Sequence, residues 1–266
     1  MRLCPNCSNK SFEKILTEDC FEIVKCSVCG LIYLLNSPDE SELYEKYYDI
    51  LFKPEDYSAN SKFEFLSEIY LINRQRLEFF KKNGLSGKIL DYGCGSGLFL
   101  KTISELCNDI EGVDLSQNAL DFAKNEFGLK VFNKSADELL KENKKYDIIT
   151  LFHVVEHFIY PVSELKKIYQ LLNKGGFCFI EVPNFNSIKF RLSGYKWKGG
   201  NHPLYHKSFF TAKSLQDTLK RSGFKKYKRV RLSYKIPSKG TPHNLLKTIF
   251  NFFALDSFLN YVAYKN

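Results

Sequence analysis

The chain has 266 residues, 44% hydrophobic and 15% aromatic, with a formal net charge of +9. That length holds one large α/β domain and a small satellite, and that apolar content excludes a disordered polymer. No apolar run reaches the roughly 18 residues of a membrane span, and Met1-Arg2-Leu3-Cys4 shows no signal-peptide core, so a cytoplasmic location without a transmembrane segment is expected. The charge is unevenly distributed: residues 1–60 carry −5, residues 61–184 carry −1 and residues 185–266 carry +15. Such a basic carboxy-terminal third favours an acidic partner, with a merely solvated surface as the alternative.

At the amino terminus, Cys4-Pro5-Asn6-Cys7 and Cys26-Ser27-Val28-Cys29 form two C-x-x-C pairs separated by 18 residues, with Thr17 to Lys25 and Leu31 to Leu35 available as strands. This is zinc-ribbon spacing, assigned to residues 1–37. Four thiolates make a closed tetrahedral site, so the expected zinc is structural, and a segment too small for its own core takes its fold from the metal. Cys20 is a fifth thiol without a place in that set. The segment is acidic, which counts against nucleic acid as its partner. Residues 38–84 read as a linker and cap helices, ending in a helix over Ser61 to Lys82 that Asn83-Gly84 stops.

Lys88 to Leu100 runs from an apolar strand through Asp91 into Gly93-x-Gly95-x-Gly97 and then a helix. Alternate glycines let the backbone turn tightly and approach a bulky ligand, and the helix that follows points N–H groups at it. The spacing is not the G-x-G-x-x-G of dinucleotide sites, and an acid just before the loop would repel a pyrophosphate. A second strand, Ile110 to Val113, ends in Asp114, where a doubly wound sheet presents a carboxylate to ribose hydroxyls. Ser116 begins a helix over Gln117 to Phe127 that Gly128 ends. Lys130 to Asn133 is a short third strand, and Tyr146 to Leu151 a fourth.

On these motifs, residues 85–235 resemble the class I S-adenosylmethionine-dependent methyltransferases. The resemblance implies a Rossmann-like seven-stranded sheet with helices on both faces, preceded here by the ribbon. It implies a methyl donor held by Asp91, Gly93, Cys94, Gly95, Gly97, Asp114, Leu115 and Phe152. An acid and a small residue after the third strand contact the adenine in such proteins. Ser135 and Ala136 stand there in this chain, so either Asp137 substitutes or the Ala136 backbone serves. The ribbon followed by an acidic, tyrosine-rich stretch is similar to a bacterial subgroup associated with deoxysugar and surface-glycan pathways, in which the ribbon helps cover the active site.

After the fourth strand comes Phe152-His153-Val154-Val155-Glu156-His157, a tip with three titratable groups. A hydroxyl acceptor needs its proton removed, which suits a histidine oriented by a carboxylate. His157 is the first candidate base, Glu156 its partner and His153 the second candidate; the bland alternative is that Glu156 and His157 only cap the next helix. In quinone-pathway relatives, acids near this position hold a divalent cation; His153 replaces one of them, which counts against a metal here. A helix over Ser163 to Leu172 and a strand over Phe177 to Val182 follow. Residues 185–210 read as an aromatic, basic acceptor-covering loop with Gly199-Gly200 as its hinge, and His202 and His206 as further base or phosphate-binding candidates. Thr211 to Arg221 is a helix and Lys225 to Lys235 part of the last hairpin.

Residues 236–266 read as an amphipathic helix, with the apolar run His243 to Tyr264 expected to bury against its own domain or a second subunit in preference to a membrane. The leading expectation is methyl transfer to a small phosphate-bearing acceptor, chiefly a hydroxyl of a nucleotide-linked sugar. The alternatives are an RNA base methyltransferase, transfer to a sugar carbon or phosphoryl oxygen, and a non-catalytic cofactor-binding module.

Overall fold

The computed structural model describes residues 2–18, 21–36, 59–84, 86–193, 206–232 and 257–266. Its main body is a seven-stranded sheet with helices on both faces. In chain order the strands β1 (Phe12–Glu18), β2 (Phe21–Cys26) and β3 (Ile32–Leu34) precede α1 (Ala59–Asn83). Then come β4 (Ile89–Tyr92), α2 (Leu98–Ile103), β5 (Ile110–Val113), α3 (Gln117–Phe127), β6 (Val131–Phe132), α4 (Ala136–Lys141) and β7 (Tyr146–Phe152). A 3-10 turn over Val155–His157 leads to α5 (Pro161–Leu171), β8 (Leu172–Pro183), α6 (Ile188–Ser193), β9 (Ser208–Phe209), α7 (Ala212–Arg221), β10 (Lys226–Val230) and β11 (Phe258–Tyr264).

The large sheet runs β10-β11-β8-β7-β4-β5-β6. The five strands from β8 to β6 pair in parallel, while β11 is antiparallel to both β8 and β10. Strand order reverses at β4, so the crevice beyond the carboxyl ends of β4 and β7 is the topological switch point where such sheets bind ligands. Successive strand residues feed opposite cores. Leu90, Ile149, Leu151, Ile180 and Val182 pack with Leu165, Ile168, Leu215 and Leu219 of α5 and α7. Ile89, Ile148, Phe179 and Val262 pack with Leu77, Phe80, Leu100 and Leu120 on the other side. Strands buried on both faces read as continuous apolar runs, as Tyr146 to Leu151 does.

Four expectations change. The run over 258–264 is a strand, not the end of a helix. Leu259, Tyr261 and Ala263 enter one core and Val262 the other, a two-residue period that an all-apolar segment hides. Inserted between β8 and β10, this strand belongs to the sheet, so the domain does not end at residue 235 and residues 236–266 are not a separate helical unit. Its apolar side chains are spent internally, which removes the ground for a dimer contact there. The remainder of that reading, residues 236–256, lies outside the described residues. Thr17 to Lys25 is not one strand, since β1 and β2 meet there as an antiparallel pair with Glu18 opposite Phe21.

The ribbon, too, is not a detached satellite. Its sheet runs β1-β2-β3-β9, with Ile32 opposite Phe209 and Tyr33 opposite Ser208, so a strand from the predicted acceptor loop completes it. Phe21, Ile23, Ile32 and Leu34 pack with Phe185, Phe190 and Phe209, while Val24, Leu31, Tyr33 and Leu35 join the core of the large sheet. Arg2 donates to the Leu34 and Ile159 carbonyls at 3.0 and 2.6 Å, and Asn6 Nδ2 to Asp217 Oδ2 at 2.8 Å.

Finally, a part of the carboxy-terminal positive charge lies away from the crevice. Lys226, Lys228 and Arg229 lie on β10, the outermost strand, separated from β7 by β11 and β8. Charged side chains on a sheet edge oppose pairing with other chains, so this part of the charge does not by itself argue for a phosphate-bearing acceptor.

Candidate active site

The glycine loop is built around left-handed backbone. Gly93, Gly95 and Gly97 have φ of 79°, 50° and 75°. A Cβ on Gly93 would lie 2.4 Å from Val154 Cγ2, and one on Gly97 2.6 Å from Leu129 Cδ1. The loop is tied to β5, for Gly93 N–H and Cys94 N–H donate to the Val113 carbonyl at 2.7 and 3.0 Å. Gly112, whose Cβ would meet Leu100 Cδ1 at 2.5 Å and Cys94 Sγ at 2.8 Å, lets the buried Cys94 seat beneath the loop. Sequence reading passed over Gly112, and only the pairing of β4 with β5 reveals why it is glycine.

Asp91 is buried, and its Oδ1 accepts the Thr150 hydroxyl at 2.6 Å. Burial pushes its carboxyl up to about 7, with Thr150 and Arg76 opposing. Asp114 is also buried and raised by burial; its two oxygens accept Gly95 N–H at 2.8 Å and Ser116 N–H at 2.9 Å. Each oxygen keeps a lone pair for a ligand hydroxyl. Leu115 beside it is 65% exposed, an apolar side chain held open at the crevice.

The three adenine candidates lie at the start of α4. The Ser135 hydroxyl caps α4 and donates to Glu138 Oε2 at 2.7 Å, while Asp137 pairs with Lys167 at 2.6 Å. The Asp137 side chain is 57% exposed and pairs through Oδ2 alone, so Asp137 and the Ala136 backbone both stand where an adenine amino group could be met. The Phe152 ring packs edge-on to Phe99 at 4.7 Å and lies under the Arg76 guanidinium at 3.9 Å. Arg76, on α1, drew no attention in the sequence because only the fold carries it to the strand ends.

At the tip of β7, His153 adopts a left-handed φ of 57°. Its Nδ1 lies 3.3 Å from Glu156 Oε1 and its Nε2 3.2 Å from Glu181 Oε1. Glu181 in turn pairs with Arg76 in a buried contact. Burial alone would push His153 down, but the two carboxylates more than offset it and hold the ring up at about 9. Both ring nitrogens of His153 thus face carboxylates, which sets it apart from His157 as a candidate base. Glu156 is buried; burial opposes its charge, but His153 keeps its carboxyl below the usual range.

His157 and His206 meet edge to face with ring centroids 4.9 Å apart. Donor atoms of Glu156, His157 and His206 lie within 4.8 Å of one another. Burial pushes His206 down to about 3, so it is neutral and offers no charge to a phosphate. Its Nδ1 and Glu156 Oε2 are buried without hydrogen-bond partners. The juxtaposition comes from the ribbon side: Lys207 N–H donates to the Glu156 carbonyl at 2.8 Å, and Leu34 N–H to the Lys207 carbonyl at 3.1 Å. His202, Gly199 and Gly200 lie outside the described residues.

The four cysteines converge, with Cys4 Sγ 3.5 Å from Cys29 Sγ and Cys7 Sγ 3.5 Å from Cys26 Sγ. A tetrahedral zinc with Zn–S bonds near 2.3 Å sets sulfurs about 3.8 Å apart, so the donor set fits that ion. Ser8 and Gly30, each following the second cysteine of its pair, both turn left-handed, at φ 58° and 72°.

Comparison with known proteins accords with this geometry. The methyltransferase domain family matches residues 64–228. The chain belongs to that family and has the class I S-adenosylmethionine-dependent methyltransferase fold. Among curated relatives, the ubiquinone biosynthesis O-methyltransferase of Nitrosospira multiformis is 35% identical over 138 residues, which is 49% of this chain and 56% of the relative. That of Aromatoleum aromaticum is 32% identical over 167 residues, 59% of this chain and 66% of the relative. The chain thus spans little more than half the length of the first of these. The relatives are named for a quinone pathway, not for surface glycans. Among solved structures, a SAM-dependent methyltransferase of Thermotoga maritima superposes with a TM-score of 0.57 at 18% identity, covering 83% of this chain and 99% of that one. A second, from Archaeoglobus fulgidus, gives 0.54 at 22%, covering 85% and 100%. At these identities the likeness is one of fold. No helix among the described residues is long and apolar enough to cross a membrane.

Proposed function

We propose that the protein is an O-methyltransferase that transfers the methyl group of S-adenosylmethionine to a hydroxyl of a small acceptor, with His157 as the base. The observation that carries this reading is the convergence of Glu156, His157 and His206 within 4.8 Å at the end of β7, beside the glycine loop. Bound at the switch point by Asp91, Asp114 and the loop, the donor supplies an electrophilic methyl group on a sulfonium. His157 takes the acceptor's proton as the oxygen attacks and the carbon–sulfur bond breaks. Glu156, ionised and one residue away, stabilises the imidazolium that results. Excluding water and aligning the attack fall to the walls of the site, here the catalytic turn and the segment ending in His206.

The relatives named as quinone-pathway O-methyltransferases support a phenolic hydroxyl. A nucleotide-linked sugar is the second reading, supported by the ribbon and the aromatic, basic segment 185–210. The acidic ribbon counts against RNA. Incubation with labelled donor and a panel of catechol-type phenols, nucleotide sugars and RNA tests this: label is expected on a small-molecule hydroxyl. Tight donor binding with no transfer to any member would overturn the enzyme reading. The four cysteines are read as a structural zinc site, to be checked by metal content of the purified protein.

A further inference from the structure

Behind the candidate base runs a row of alternating charges, of which the proposed reaction uses only Glu156 directly. It starts on α1 with Arg76, which pairs with Glu181 on β8 and donates to Asn73 Oδ1 at 2.8 Å. It passes to His153 at the end of β7, and then to Glu156 in the 3-10 turn. Signs alternate along it: guanidinium, carboxylate, imidazole, carboxylate. A carboxylate only accepts, so an imidazole facing one at each nitrogen must donate from both, which makes it an imidazolium. Arg76, Glu181 and Glu156 are all buried, and the imidazolium stands between the two carboxylates, sharing Glu181 with Arg76.

The backbone is bent to make this contact. His153 is one of three non-glycine residues with positive φ among the described residues, and the other two, Ser8 and Asn143, sit in turns far from the sheet's centre. Its N–H also donates to the Glu181 carbonyl at 2.9 Å, so main chain and ring both grip β8. The Phe258 ring packs edge-on against the imidazole at 5.0 Å. A left-handed histidine held by β8, β11 and the following turn is the kind of strained residue that a surrounding structure over-determines at a working site.

We propose that His153 is a positioning residue: clamped as a doubly protonated ring between Glu181 and Glu156, it holds the Glu156 carboxylate within reach of the His157–His206 pair. One Glu156 oxygen is spent on the clamp while Oε2 has no hydrogen-bond partner. When His157 accepts a proton, the row extends its alternation by one cation, beside a carboxylate already fixed in place. This role rests on the methyltransferase reading, but the clamp itself does not.

Two measurements separate them. Nitrogen-15 NMR of the histidine rings in the wild-type protein at neutral pH is expected to show His153 protonated at both nitrogens. Glu156→Gln is expected to expose the Nδ1 proton to rapid exchange and Glu181→Gln the Nε2 proton. A neutral His153 tautomer, or exchange that ignores these substitutions, overturns the clamp whether or not an acceptor is known. On an acceptor that takes label in the panel, His153→Gln is expected to lower kcat about a hundredfold with KM for the methyl donor within about threefold. His153→Lys keeps the charge, guards against loss of the fold, and is expected to recover part of that rate. If His153→Gln folds and turns over at the wild-type rate, or if folded His153→Lys is no faster than His153→Gln, His153 does not position the reacting groups through its charge. Failure of every acceptor would sink the reaction, leaving the NMR result to decide the clamp.

Discussion

A single substitution separates His157 from His153, the first two of the histidines that the sequence offered as bases. His157→Asn is expected to reduce methyl transfer about a hundredfold or more while leaving donor affinity unchanged, measured as kcat against calorimetric binding. His153 differs in kind. Its folded value of about 9 exceeds the ordinary 6.5, so its charge contributes stability that is fully present below pH 6.5 and is lost as pH rises through 9. The difference in Tm between wild type and His153→Gln is therefore expected to shrink from pH 6.5 to pH 9.5. His206 runs the other way: it is held neutral by burial and works against the fold as pH falls below 6.5 toward 3. From sequence His157 ranked first, His153 second and His206 as a further candidate by position alone, because what distinguishes them physically is which carboxylates and which burial the fold gives each. Glycines were more legible. Gly93→Ala, with φ of 79° and a Cβ 2.4 Å from Val154, is expected to cost about 2–4 kcal/mol in denaturant unfolding.

Among the elements, those with local punctuation were readable in advance. Ser116 and Gly128 bound α3 as expected, the first accepting from Ala119 N–H and the second left-handed at φ 63°. Thr211 caps α7 through a capping box with Ser214. The ribbon's cysteine pairs were equally plain, yet its third strand was not known to reach β9, because Ser208–Phe209 is two residues long and has no period to detect. That pairing has a consequence. Cys29 stands three residues before β3, whose Leu34 N–H holds the Lys207 carbonyl, and Lys207 N–H in turn holds the Glu156 carbonyl. Cys29→Ser, or removal of the metal by a chelator, is expected to abolish bound zinc and raise amide exchange at residues 206–209, read by hydrogen-exchange mass spectrometry. Unchanged protection there would mean that the ribbon and the catalytic turn are mechanically independent.

At the scale of the whole molecule, β11 closes the sheet from the far end of the chain, and its neighbours β8 and β10 are joined to each other only through it. Deleting residues 257–266 is expected to leave an unpaired apolar edge on β8 and to yield an insoluble or molten product, judged by solubility and near-ultraviolet circular dichroism. The sequence alone determined the features whose physics is local: left-handed turns that need glycine, carboxylates at strand ends, paired cysteines, and the alternation of strands and helices that specifies a doubly wound sheet. Tertiary structure decided everything that depends on residues distant in the chain meeting. It made residues 258–264 of the apolar tail a strand inside the sheet, because a segment buried on both faces carries no period to tell helix from strand. It brought His206 to His157 through the ribbon, and Arg76 and Glu181 to His153. Charges and protonation states follow from such encounters, since burial and opposite charge act through space and not along the chain.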